Sequence, residues 1–224
     1  MELAKSFSNF VLFSYWRSSC SWRIRIVLNL KKINYKINPI NLLKSEQTNE
    51  HFAELNPLKK IPALAFEINK DGNNEKILLQ ESSAICEFLE ETFPEVNLLP
   101  KDSIDRAHVR AICSHIACNI QPIQNLPVLN RIEELGFKKA EWAKEWISKG
   151  LKDLDNMLTN CRGKYCFGDE ITLADAFLVP QLYNARRFNV DMNEFVNIIE
   201  IEANLKLVEA FILASPENQP DSSL

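Results

Sequence analysis

Strand-like patterning is confined to the first part of this chain. Up to Phe93, short apolar runs bounded by turn residues are interleaved with helix-periodic segments. Beyond the break F-P-E-V-N-L-L-P at residues 93–100 the strand signals nearly vanish and helical periodicity takes over. Such a chain folds as an α/β part followed by an all-α part. A first domain is therefore expected over residues 1–93, a linker over 94–102 and an all-helical domain over 103–224. About ninety residues is an ordinary size for the first of these.

Within the first part, residues 10–15 (FVLFSY) read as a short buried strand. After Ser18-Ser19-Cys20, the residues Trp22, Ile26, Leu30 and Ile33 recur at helical spacing. Residues 35–42 alternate like a strand, and Pro39 demotes it to an edge. Another strand opens at about Ile61-Pro62, a position that a cis proline can occupy. The polar loop NKDGNNE, with Asp71-Gly72 as its turn, joins it to KILLQ as an antiparallel hairpin. Glu81-Ser82-Ser83, with serine as cap, then precedes an amphipathic helix bearing Ile85, Phe88, Leu89 and Phe93.

In the second part, Ala107, Ile112, Ile116 and Ile120 predict a helix that ends or kinks before Pro122. Trp142, Trp146, Leu151, Leu154 and Leu158 predict another. Thr172 and Asp175 fit a capping box, and Pro180 is expected to kink the helix that follows. Ala203 to Ala214 predicts a last amphipathic helix, and the tail SPENQPDSSL is expected to fray.

Composition narrows the function. The net charge is -4 with no long basic block, which argues against nucleic acid as a partner. The 5 glycines form neither G-x-G-x-x-G nor a Walker A loop. No H-E-x-x-H occurs, and Cys113-x-His115-x-x-Cys118 does not place its side chains on one helix face, so no metal site is expected. None of the 6 cysteines forms C-x-x-C. Free thiols point to a reducing compartment, most simply the cytosol, and no signal peptide or membrane span is read. A Cys–His nucleophilic pair is left open by spacing alone.

Two features stay open on the residues themselves. Ser18-Ser19-Cys20 suits a helix N-cap, and it equally suits a place where a helix dipole receives an anion. Arg23 and Arg25 lie near the start of the same helix, where the dipole disfavours cations. Either they point into solvent, or something negative binds there.

The order of these motifs resembles the glutathione transferase fold: a thioredoxin-like domain followed by a helical bundle. S-S-C-S-W-R before an apolar helix, N-P-x-x-x-I-P, E-S-x-A-I-x-E-F-L-E-E, I-Q-P-x-Q-N-L and the terminal N-Q-P-D together resemble the zeta class, the maleylacetoacetate isomerases. The resemblance covers nearly the whole chain. It implies an enzyme that uses glutathione catalytically to isomerise maleylacetoacetate to fumarylacetoacetate in tyrosine and phenylalanine breakdown, with dehalogenation of small α-halo acids as a side activity. It also implies a cytosolic homodimer.

The resemblance implies roles residue by residue. Glu81 and Ser82 would hold the γ-glutamyl end of glutathione, with glutamate standing where some members have glutamine. Ile61 would pair through its main chain with the cysteinyl part, and Gln47 would meet the glycyl end. Ser18, supported by Ser19 and Cys20, would face the sulfur, and Arg23 would add positive potential for the thiolate. Gln121, Asn125 and Arg187 would meet the dicarboxylate substrate, with Arg186 as an additional cation; Pro127 replaces a hydroxyl found in some members. Rival readings are a Cys20-based thiol transferase or dehydroascorbate reductase, a broader conjugating or dehalogenating transferase, and a non-catalytic scaffold on the same fold.

Overall fold

The computed structural model describes residues 6–70 and 73–223, and the expected turn Asp71-Gly72 lies outside them. The chain forms two compact units. One holds the residues up to Val96 together with those from Ala210 onward; the other holds Asn97–Glu209. The residues from Ala210 onward group with the first unit, whereas the sequence reading assigns residues 103–224 to the second.

In the first unit, β1 (Ser6–Ser14), α1 (Ser19–Leu30), β2 (Tyr35–Pro39), α2 (Glu50–Leu55), β3 (Ala63–Lys70), β4 (Asn73–Gln80) and α3 (Ser82–Thr92) follow in order. The sheet order is β2-β1-β3-β4. β1 pairs parallel with β2 and antiparallel with β3, and β3 pairs antiparallel with β4. β2 is an edge, as Pro39 demands, and ends at that proline rather than at residue 42.

β1 departs from simple alternation. Ser8 pairs with Glu67 and Val11 with Ala65, so Asn9 and Phe10 together face Phe66. Asn9 takes up the left-handed conformation (φ 56°) that such a bulge needs, a state Asn tolerates better than most residues. In a regular strand residues three apart point to opposite faces. The extra residue brings Phe7 and Phe10 together against the same ring, Phe66, at centroid distances of 5.8 and 5.3 Å. Phe88 of α3 stacks on Phe66 at 5.0 Å, which ties the helix to the sheet.

α1 is buried all round rather than along one stripe. Every residue from Ser21 to Leu28 is buried, and Ile33 lies beyond the helix end. Arg23 and Arg25 do not reach solvent: they are 2% and 0% exposed. A helix this enclosed needs cover on the side away from its sheet. The returning tail contributes to that cover. Arg25 Nε donates to Ala214 O at 2.9 Å, and Asn29 Nδ2 donates to Ala210 O at 3.1 Å. At the other end of α1, the buried Lys31 ammonium donates to Phe93 O at 2.8 Å and Val96 O at 2.7 Å and pairs with Glu90 at 2.7 Å.

The expected last helix over 203–214 is two helices, α8 (Val196–Leu205) and α9 (Glu209–Ala214). The tail after α9 is folded rather than frayed. Gln219 is buried, and its Nε2 donates to Leu213 O at 3.0 Å and Ser215 O at 2.8 Å. These amide bonds return the chain onto the end of α9.

The second unit contains α4 (Ser103–Ser114), α5 (Leu126–Glu134), α6 (Lys139–Leu158), α7 (Leu173–Arg187) and α8. The predicted break before Pro122 is a π-helical turn at His115–Ile120 followed by a 3₁₀ turn at Pro122–Gln124. Gly150 of α6 lets that turn approach: a Cβ there would fall 2.5 Å from Ile120 Cγ1. His115 Nε2 lies 3.0 Å from Gly150 O and Nδ1 lies 3.3 Å from Asn119 Nδ2, so the imidazole belongs to this packing. The capping box at α7 forms, with the Asp175 carboxylate accepting from Thr172 N at 2.7 Å. α7 runs through Pro180 as one continuous helix. Among the described residues no helix is long and apolar enough to cross a membrane.

Candidate active site

The first unit brings together the N-termini of α1 and α3. Ser18 is the N-cap of α1 and its Oγ accepts from Ser21 N at 3.2 Å. Its own N–H is held by Tyr15 O at 2.9 Å. A hydroxyl has one proton and two lone pairs; one lone pair takes the helix amide, and among the described residues the O–H donates to no acceptor. Ser19 and Cys20 follow in the first helical turn, Ser19 buried and Cys20 half-buried. A helix start with its amides oriented outward favours an anion.

α3 opens differently from the expectation. The serine cap does not form. Glu81 occupies the N-cap position in a left-handed conformation (φ 64°) and makes no side-chain capping bond. Ser82 is the first helical residue and is buried. Its Oγ accepts from Arg23 Nη1 at 3.2 Å, so a buried guanidinium of α1 reaches the first residue of α3. The resemblance places Arg23 beside the sulfur; in the structure its guanidinium reaches Ser82 Oγ. The uncapped α3 terminus leaves amides for a carboxylate.

Arg25 has no place in ligand binding. Its guanidinium donates to Ser14 Oγ at 3.1 Å, to Tyr15 O at 3.4 Å, to Trp16 O at 2.9 Å and to Ala214 O. Burial lowers its pKa to about 10, partly offset by Tyr35 and Asp221. The misplaced cation of the sequence is thus a clamp on the β1–α1 loop.

Two further predicted groups fit an extended peptide ligand. Ile61 precedes a cis bond to Pro62, and no hydrogen bond to its N–H or C=O is found among the described residues. Gln47 lies in the 3₁₀ turn Glu46–Thr48, and its Oε1 is buried without a hydrogen-bond partner among the described residues. An orphaned buried acceptor and an unpaired strand-like main chain suit a donor-rich peptide.

The second unit carries the predicted substrate-side groups. Gln121 is half-buried between the π turn and the 3₁₀ turn. Asn125 is exposed and doubles as the N-cap of α5, with Oδ1 accepting from Leu126 N at 2.9 Å. Arg187 ends α7, exposed, its guanidinium 4.5 Å above the Phe188 ring. Its neighbour Arg186 donates to Glu202 at 2.6 Å. One pair escaped prediction: Gln124 Nε2 donates to Gln181 Oε1 at 3.4 Å, with both residues buried. Gln124 sits in the I-Q-P-x-Q-N-L motif, which offered the only signal.

Of the remaining thiols, Cys86 is fully buried and its pKa is pushed up to about 12, by burial above all, with Arg23 opposing. Cys20 acts on it electrostatically. A thiol so raised stays protonated near neutrality and makes a poor nucleophile.

Comparison with known proteins identifies the family. Residues 17–92 match the family model described as Glutathione S-transferase, N-terminal domain. Probable maleylacetoacetate isomerase 2 of Drosophila melanogaster is 49% identical over 213 residues, covering 94% of this chain and 89% of the relative. A maleyl pyruvate isomerase described as a bacterial zeta-class glutathione transferase superposes with a TM-score of 0.87 at 38% identity, covering 95% of this chain and 100% of that one. The maleylacetoacetate isomerase of Anaeromyxobacter dehalogenans, solved with dicarboxyethyl glutathione and citrate in its active site, gives a TM-score of 0.85 at 38% identity, covering 97% and 94%. With nearly half of its residues shared over almost its full length, the chain belongs to the maleylacetoacetate isomerase family, the zeta class of the glutathione transferases.

Proposed function

We propose that this chain catalyses the glutathione-dependent cis–trans isomerisation of maleylacetoacetate to fumarylacetoacetate, with the Ser18 hydroxyl holding the glutathione sulfur in its ionised form. The observation that carries this is the bonding of Ser18: its Oγ accepts from Ser21 N, so its proton is available to an anion in front of the α1 terminus. When bound, glutathione supplies a thiolate that adds reversibly to the activated double bond and is regenerated. Ser19 and Cys20 shape the same helix start. Ser82 and the uncapped amides of α3 hold the γ-glutamyl carboxylate, with Arg23 adding positive charge behind Ser82. Glu81 meets the ammonium, Ile61 pairs by its main chain, and Gln47 offers its orphaned acceptor. For a dicarboxylate, Arg187 gives a planar guanidinium, and Gln121 and Asn125 give amides. Small α-halo acids fit the same site, because a thiolate can also displace halide from the carbon next to a carboxylate.

A Cys20 thiol transferase is the second reading: Cys20 lies half-buried in the first turn of α1, and a mixed disulfide formed there would be resolved by a second glutathione. The test is turnover of maleylacetone with and without glutathione in the wild type and in Ser18→Ala, with glutathione affinity measured separately by calorimetry. Turnover is expected to need glutathione and to fall by about a hundredfold or more in Ser18→Ala at little change in affinity. Glutathione-independent turnover removes the function, and wild-type turnover in Ser18→Ala removes the assignment of the hydroxyl.

A further inference from the structure

The N-Q-P-D sequence at residues 218–221 has no part in the chemistry above, yet it is folded onto the first unit. Asn218 Nδ2 donates to Ile212 O at 2.8 Å, and Gln219 makes the two amide bonds that return the chain onto α9. These bonds carry Asp221 back to the β1–α1 loop. There its Oδ2 accepts from Trp16 N at 2.9 Å, across 205 residues of sequence. Its Oδ1 is buried with no hydrogen-bond partner among the described residues. Asp221 also acts electrostatically on Arg25, whose guanidinium donates to the carbonyls of Tyr15 and Trp16. The loop is therefore gripped on both sides. A carboxylate takes the Trp16 N–H, and a guanidinium takes the carbonyls of Tyr15 and Trp16. Tyr15 O in turn accepts the Ser18 N–H.

We infer that Asp221 is a positioning residue for the reaction: the C-terminal tail fixes the backbone from Tyr15 to Ser18 and so aims the Ser18 hydroxyl. The inference rests on the role proposed for Ser18. An ordinary tail contact would stabilise the fold and nothing more. A positioning contact is coupled to the group it aims, because displacement of a reacting group by about 1 Å costs up to a hundredfold in rate.

The test is a double-mutant cycle on the full-length protein, with kcat and KM for glutathione and for maleylacetone measured well below the melting temperature. Asp221→Ala is expected to lower kcat between about tenfold and a hundredfold, with KM for glutathione changed by less than about threefold. In a Ser18→Ala background the same replacement is expected to cost less than about twofold, because the aimed hydroxyl is gone. Asp221→Asn keeps an acceptor for Trp16 N–H and is expected to restore at least half of the lost kcat. Amide exchange at Trp16 is expected to quicken in Asp221→Ala.

If Asp221→Ala does not fold, Asp221→Glu takes its place in the cycle, since it keeps the charge and displaces the carboxylate by one methylene. Equal losses in both backgrounds, or a loss matched by a parallel rise in KM, overturn the positioning role while leaving Ser18 in place. An unchanged kcat in Ser18→Ala alone overturns the role of Ser18, and the inference falls with it.

Discussion

Arg23 Nη1 lies 3.2 Å from Ser82 Oγ, and both residues are buried. The bond joins the first two turns of α1 to the first residue of α3, so a positive charge stands behind the serine that a ligand carboxylate would meet. The Ser82 hydroxyl accepts from Arg23 and keeps its proton for an anion. A hydrogen bond to a charged group contributes about 1.5–3 kcal/mol. Ser82→Ala is therefore expected to weaken glutathione binding about tenfold or more by isothermal titration calorimetry. At saturating glutathione its kcat is expected to stay within about threefold of the wild type. Unchanged affinity would make Ser82 only a partner for Arg23.

Arg25 restrains the loop before α1 through several bonds at once. Its guanidinium satisfies Ser14 Oγ and the carbonyls of Tyr15, Trp16 and Ala214. Arg25→Met keeps much of the volume but removes the donor from Ser14 Oγ and from the carbonyls of Trp16 and Ala214, while Tyr15 O keeps the Ser18 N–H. Breaking such a buried charged network typically costs about 3–5 kcal/mol. Urea unfolding is expected to show a loss of that order. Arg25→Lys is expected to recover less than half of it, because an ammonium lacks the fork that serves several acceptors at once. A loss under about 1 kcal/mol would mean that water replaces the guanidinium.

Thiol labelling separates the cysteines by burial. Cys118 is exposed and Cys20 is half-buried, while Cys86 and Cys166 are fully buried. Burial pushes the Cys86 thiol up to about 12 and holds Cys166 well above its ordinary value. At pH 8 an aromatic disulfide reagent is expected to label Cys118 fastest in the native protein. Cys86 and Cys166 are expected to react only on unfolding. Loss of the fast phase in Cys118→Ser checks the assignment, and rapid labelling of Cys86 in the native protein would contradict its burial.

Local sequence carried much of this structure. The Ser18 cap and the Thr172–Asp175 box each act within three residues, so composition and spacing reveal them. The edge position of β2 follows from Pro39 alone. Long-range facts were not legible. A buried arginine and a solvated one look alike in sequence. Part of what buries Arg25 is the carbonyl of Ala214, 189 residues away. The same holds for the tandem pair at the end of α7, where Glu202 claims Arg186 from the next helix. The tail reads as frayed because it is polar and terminal. Its side-chain amides fold it back onto the end of α9 and Ser215. In the candidate site, Ser18 and Ile61-Pro62 were readable from their neighbours. The link between Arg23 and Ser82 needed the packed helices.

Asp175 gives a test of the second unit with a defined sign. Its carboxylate accepts from Thr172 N, from Thr172 Oγ1 at 3.1 Å and from Cys166 N at 2.9 Å. These bonds favour the charged form, but burial outweighs them and raises the pKa above the ordinary carboxylate value. Below that value the carboxyl is protonated in both the folded and the unfolded chain. Between it and the raised native value, the folded chain keeps a proton that the unfolded chain has released. Stability contributed by Asp175 therefore falls as pH rises through this window and is level above it. Asp175→Asn does not titrate, so subtracting its unfolding free energy from that of the wild type isolates this effect. Urea titrations from pH 4 to pH 7 are expected to show the difference shifting against the wild type as pH rises. A difference that grows in favour of the wild type would mean that the Thr172 and Cys166 bonds dominate and that the native pKa lies below the ordinary value.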